Sequence, residues 1–577
     1  MEFEYNLSLD ELKMRTSKDC LIPIKLLDKD SEEYLKLDEG DKTALIYLVK
    51  AAEVGKKVYM KQDNPYNLEF EKFLISETEK GSEEAKFTKI LFDAQSGIIG
   101  IDSKSQDVIL AKNFKSTMGK AFYPADLTVE EFHKILINML ENGKTDEVRN
   151  ILSQRTMVVR EGEELKGIDY TIYFKTEFEL MAECLKMAAH FSTDKNFSAY
   201  LLAQVEALVK TDAMLDAKAD KLWAQLQDTP LEFTISREQY ADLLTGTVME
   251  NETLNNLLKK HKIEPLSKDS IGVRVGIINK SGTSDILKIK DYLPFMAENM
   301  PYNDKYEQNI SKGDNKQTMV DVDLVSLRGD EGAYRGGITI AQNLPNNDKL
   351  SLTIGGGRRN VYHRQIRTNK SPEALARRQK RLDAILNKDF HKFYNPEADH
   401  WFTIGHENVH SLGPNSGTEA LGKYQHIIEE NKADMGSIAL LNVLVEHGAY
   451  TEEQKKEILV TFVTNLFMKA KPTLAQAHRV RSVMQCHYFL NHGAMKIEDG
   501  RIVVNIDNVI PAAYSMLSEI VDVQLSKDFQ KGEKYVLDNF VWGEEMEKIS
   551  KKLQEVDKSL NGTINTPLAD YLITLNN

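Results

Sequence analysis

The sequence predicts an α+β protein that is predominantly helical, with a block of strands in the middle of the chain. Three observations carry this. Residues 31–225 repeat apolar side chains at three- and four-residue spacing. Residues 270–360 hold short alternating runs rich in Val and Ile. From Pro372 to about Val523 the helical spacing returns.

In order along the chain, residues 42–55, 129–142 and 178–189 read as helices, and 197–227 reads as the longest one. Asp228-Thr229-Pro230 breaks it. Residues 271–278 and 319–325 alternate like half-buried strands, and 338–342 and 349–354 continue the β character. Ile404-Gly405 and Leu412-Gly413-Pro414 bracket a short helix. Residues 420–443 have helical periodicity. Residues 544–560 form an amphipathic piece expected to pack back on the body.

Composition narrows the class. The chain has 577 residues, 41% of them apolar, enough for three or four units at about 150 residues each. A net charge of −14 disfavours a nucleic-acid partner, which calls for a basic surface. It is compatible with a cleft that attracts an ammonium group. Cys20, Cys184 and Cys486 are the only cysteines and lie far apart, so a disulfide framework is not expected and a reducing compartment is. Met1-Glu2-Phe3-Glu4-Tyr5 lacks the basic and apolar regions of a signal peptide. No run of about 18 apolar residues is present to span a bilayer. The expectation is a cytoplasmic protein with no membrane partner.

The chemistry concentrates in His406-Glu407-Asn408-Val409-His410 and, further on, Glu429-Glu430-Asn431-Lys432-Ala433-Asp434. Residues i and i+4 of a helix share a face, so His406 and His410 can aim two imidazoles at one ion. Glu407 sits one position round, placed to handle the proton of an activated water. A catalytic zinc takes three protein ligands and keeps one position open. The downstream acidic pair supplies the third, a carboxylate on a second helix. Asp434, one turn after Glu430, can accept the remaining N–H of a ligand histidine. Elsewhere the signals are weaker. Gly355-Gly356-Gly357-Arg358-Arg359 reads as a glycine-rich turn, because no nucleotide-binding strand–loop–helix pattern surrounds it. Cys486, His487 and His492 form no complete second ligand set.

These residues resemble the dipeptidyl peptidase III family of zinc exopeptidases. That family pairs a histidine–glutamate motif with a downstream EExxA(E/D) motif. The resemblance selects Glu430 as the ligand, with Glu429 beside it and Asp434 as partner of a ligand histidine. Most members have six residues, HExxGH, in the first motif; this chain has five. Glu238-Gln239-Tyr240-Ala241-Asp242, Asn343-Leu344-Pro345-Asn346 and Gln476-Ala477-His478 resemble three further family segments, in the family's order. By that resemblance Glu238, Asn343 and Asn346 hold the substrate's free amine and first backbone groups. Tyr240 and His478 stabilise the transition state, and Glu407 is the general base. The resemblance also implies two lobes across a cleft. Residues 1–370 would form a mostly helical lobe with a small β-barrel at about 270–360. Residues 371–525 would form an all-helical zinc lobe, and 526–577 a C-terminal segment. The implied function is zinc-dependent release of dipeptides from short peptides, with one Zn2+ per chain. A zinc aminopeptidase or endopeptidase of another register, and a weakly active peptide-binding protein, are the alternatives.

Overall fold

The computed structural model describes residues 2–238, 242–308, 318–331, 340–344, 353–354, 357, 359–369, 371–414 and 416–575. The α+β class with a helical majority is what it shows. Two large apolar cores organise it. One is built by helices Glu39–Asp63, Lys175–Phe191 and Lys195–Val209 together with the sheet. The other is built by the helices after Pro372, joined by Ile286, Met296 and Met300 from before the sheet's third strand. A smaller core around Phe70 and Phe92 sits at the N-terminal end.

The sheet has five strands: β1 (Leu231–Glu238), β2 (Ser270–Asn279), β3 (Thr318–Gly329), β4 (Ala341–Leu344) and β5 (Arg359–Tyr362). Their spatial order is β1-β2-β3-β5-β4. Only the β3–β5 pair is parallel. Among the described residues no pairing closes β1 onto β4, and the described strands pair as an open sheet.

The strands at 271–278 and 319–325 are not half-buried as their alternation suggests. Every residue of β2 from Ser270 to Ile278 is buried, and so is β3 from Thr318 to Leu327. Arg274, between apolar residues of β2, joins an internal ionic network instead of facing water. Arg359 pairs with Glu232 at 2.9 Å, and Arg274 reaches Thr234 at 2.8 Å and Gln342 at 2.5 Å. All four charged or amide groups are buried, which requires such pairing.

Helix boundaries also moved. The long helix expected at 197–227 is two helices, Lys195–Val209 and Ala213–Ala224. Asp212 caps the second by accepting from Met214 N, so capping chemistry ends a run whose apolar spacing continues. The short helix expected around 404–412 starts much earlier, at Pro396, behind an Asn395 cap. Glu544–Val556 buries Met546, Ile549 and Leu553 in the second core. The chain then returns to its start: Asn561–Asn565 pairs in parallel with Leu21–Lys25, and Leu568 and Leu572 enter the first core.

Candidate metal centre

Two helices build the site. The histidine helix, Pro396–Val409, carries His406 and Glu407, with His410 as its C-terminal cap residue. The acidic helix, Gln425–Ala439, carries Glu429, Glu430 and Asp434. They approach closely because small residues sit at the crossing. A Cβ added to Gly405 would meet Ser437 Oγ at 2.3 Å, and one added to Gly436 would meet Val409 Cγ1 at 2.5 Å. Gly405 is therefore a packing residue in mid-helix, not the helix start read from the sequence. Ser437 Oγ also donates to Phe402 O at 2.9 Å.

At this crossing the two imidazoles face each other, Nε2 to Nε2, at 3.2 Å. Glu430 lies opposite, with Oε2 at 3.5 Å from His406 Nε2 and Oε1 at 3.9 Å from His410 Nε2. One donor atom from each of these three residues falls within 4.8 Å of the others. Each imidazole is held from behind. His406 Nδ1 bonds Asp434 Oδ1 at 2.7 Å, and His410 Nδ1 bonds Glu429 Oε1 at 2.9 Å. That fixes both Nε2 atoms toward the centre. Two nitrogens and a carboxylate converging on one point is the donor chemistry of zinc.

The electrostatics follow from burial and pairing. Burial works to lower the His406 pKa, but hydrogen bonds that Asp434 and Glu430 accept outweigh it and raise it to about 9. Burial works to raise Glu429, and Lys432 and His410 outweigh it, bringing it to about 2. Glu430 is likewise pushed up by burial, yet His478 and His406 hold it well below the usual carboxylate range. Glu407 is different. Burial raises it, only partly offset by the two histidines.

Three residues that the sequence reading passed over complete the surroundings. Lys432, fully buried, reaches Leu412 O at 2.6 Å and Glu429 Oε1 at 3.0 Å. Gln524 Nε2 donates to Glu429 Oε2 at 2.9 Å. Arg481 lies 2.6 Å from both Glu430 Oε2 and Asp434 Oδ2. Helical spacing holds a signal for two of them: Lys432 is one turn from Glu429, and Arg481 one turn from His478.

The other expected site residues fall out unevenly. His478 joins the centre, with Nδ1 at 2.9 Å from Glu430 Oε2 and its side chain 54% exposed. Asn343, on β4, is buried against the histidine helix, where its Nδ2 donates to Glu407 O at 2.8 Å and to Asn360 Oδ1. Glu238 ends β1, but its side chain lies outside the described residues, as do Tyr240 and Asn346. Asp242 takes a structural part. Its carboxylate accepts from the backbone N–H of Leu244, Thr245 and Lys268. Cys486 is buried in the second core, and His492 stacks on Tyr488.

No family model and no curated protein matches this chain. Solved structures do. Dipeptidyl peptidase III from Caldithrix abyssi aligns at 23% identity with a TM-score of 0.75, over 97% of this chain and 99% of that one. Dipeptidyl peptidase III from Corallococcus sp. strain EGB aligns at 20% identity with a TM-score of 0.82, over 99% of each. The chain has the fold of these proteins, two lobes included.

Proposed function

We propose that this chain is a zinc-dependent dipeptidyl peptidase acting on short peptides with a free N-terminus. The observation that carries the reading is the convergence of His406 Nε2, His410 Nε2 and the Glu430 carboxylate beside a buried Glu407 that is not one of the three. The likeness of the whole fold to two dipeptidyl peptidase III structures supports the same reading.

Zinc held by His406, His410 and Glu430 would supply a Lewis acid for the scissile carbonyl and lower the pKa of water from about 16 toward about 7. Glu407 is the general base. Its carboxyl is raised by burial, which brings it nearer the range where it both accepts a proton from water and returns it to the leaving amine. His478, partly exposed beside Glu430, and Tyr240 donate to the developing oxyanion; such donors are worth about 3 kcal/mol each. Glu238, Asn343 and Asn346 hold the free ammonium two residues from the scissile bond. Asn343 adds a second connection, because its amide ties β4 to the backbone of Glu407 itself.

Purified protein assayed on dipeptidyl arylamides, with and without chelator, tests the reading. Hydrolysis abolished by chelation and restored by zinc is the expected result. Hydrolysis that chelation leaves unchanged overturns the metal assignment.

A further inference from the structure

Glu430 and Asp434 stand four residues apart on the acidic helix, both buried and both aimed at the histidines. Like charges at that spacing repel, and buried carboxylates need partners. A single side chain from a third helix, Ala477–Asn491, meets both. Arg481 Nη1 lies 2.6 Å from Glu430 Oε2 and 2.8 Å from His478 Nδ1, while its Nε lies 2.6 Å from Asp434 Oδ2. The guanidinium is itself mostly buried, with 15% of the side chain exposed. Gln485, one turn along the same helix, donates to Asp434 Oδ2 at 3.0 Å and secures that oxygen from a second side.

The two carboxylates are thereby divided. Asp434 gives Oδ1 to His406, while its Oδ2 takes the hydrogen bond from Gln485 and sits at ion-pair distance from Arg481 Nε, which makes no hydrogen bond to it. Glu430 turns Oε1 toward His410 Nε2 at 3.9 Å, while Oε2 takes Arg481 Nη1 at 2.6 Å and His478 Nδ1 at 2.9 Å and lies 3.5 Å from His406 Nε2. A lysine would neutralise charge as well, but only a rigid fork reaches two carboxylates with two different nitrogens.

We propose that Arg481 is a positioning residue that clamps these two carboxylates, so that Glu430 offers a bound metal one oxygen rather than two and Asp434 stays on His406. The proposal rests on the metal-site reading above. It adds that coordination number at this centre is set from outside the ligand set. With Oε2 engaged, one coordination position stays open for water. Without Arg481, Oε2 keeps only the neutralisable His478 beside it, and Glu430 can bind through both oxygens and close that position.

Cobalt(II) replaces zinc in such sites and reports coordination number through its visible absorption, with no substrate required. Wild type, Arg481→Gln and Arg481→Lys are each loaded with cobalt. Both variants are expected to bind one cobalt per chain, to show the weaker absorption of a higher-coordinate ion, and to release metal to a chelator about 10- to 100-fold faster. The lysine variant keeps the charge and loses the fork, so it must shift in the same direction. A wild-type spectrum and release rate in Arg481→Lys overturns the clamp, and that variant decides the matter if Arg481→Gln does not fold. A wild-type protein that shows the cobalt signature but hydrolyses no peptide would sink the peptidase reading and leave the clamp standing.

Discussion

Glu407 and the three proposed ligands differ by one criterion that a single substitution exposes. Glu407 is buried next to the histidines but lies outside the converging donor set. Glu407→Gln is therefore expected to keep one zinc per chain and the folded state while losing most hydrolysis; normal turnover with metal bound would remove it as the base. The partners behind the histidines act at one remove. Asp434→Ala and Glu429→Ala each free one imidazole to rotate, so zinc affinity should fall roughly 10- to 100-fold in each. Competition with a chelator measures this, and an unchanged affinity in both would mean the imidazoles are oriented by packing alone. At this scale the sequence was informative where spacing decides contact. His406 and His410 share a helical face whatever surrounds them. Arg481 was not legible in the same way, because its carboxylate partners lie about fifty residues away on another helix.

The element that aligns the proposed ligands is the crossing of the histidine and acidic helices. Gly436→Ala places a methyl against Val409 Cγ1, and overpacking of that kind costs about 1–3 kcal/mol. The expected outcome is a lower urea midpoint together with weaker zinc binding. A variant as stable as wild type would show that the helices have room to separate. The sequence marked both helices by periodicity, yet it read Gly405 as a boundary, because a glycine chosen for close approach looks the same as one chosen to end a helix.

The strands carry a separate test. Asp321 in β3 is raised to about 7 by burial and by the neighbouring carboxylate of Asp323, itself raised to about 6 by burial and by Glu33. A carboxyl that holds its proton longer when folded makes stability fall as pH rises from about 4 to about 7, because the unfolded chain releases its proton first. Above that window both states are ionised and the slope vanishes. Asp321→Asn removes this loss. Its stability relative to wild type should rise by about 1–3 kcal/mol between pH 5 and pH 8, read from urea midpoints. A difference independent of pH would contradict the shift.

At the scale of the whole molecule, Asn343 on β4 of the sheet touches the backbone of Glu407 on the histidine helix. Helical and strand periodicity made the overall class legible. The order in which the described strands pair was not, because pairing between strand edges leaves no trace in local alternation. The positions assigned to the substrate's amine come from both sides of β-structure far apart in sequence, Glu238 at the end of β1 and Asn343 on β4. If they hold a free ammonium two residues from the scissile bond, register follows from charge. A strongly hydrated cation enters a cleft only where acceptors replace its water, and an acetylated N-terminus has no such charge to offer. The decisive measurement is mass spectrometry of digests of one short peptide in free and N-acetylated forms, using the zinc-loaded protein. Dipeptides leaving stepwise from the free peptide, with the acetylated one cut far more slowly, is the predicted result. Equal cleavage of both forms, or cleavage at internal bonds, would contradict it.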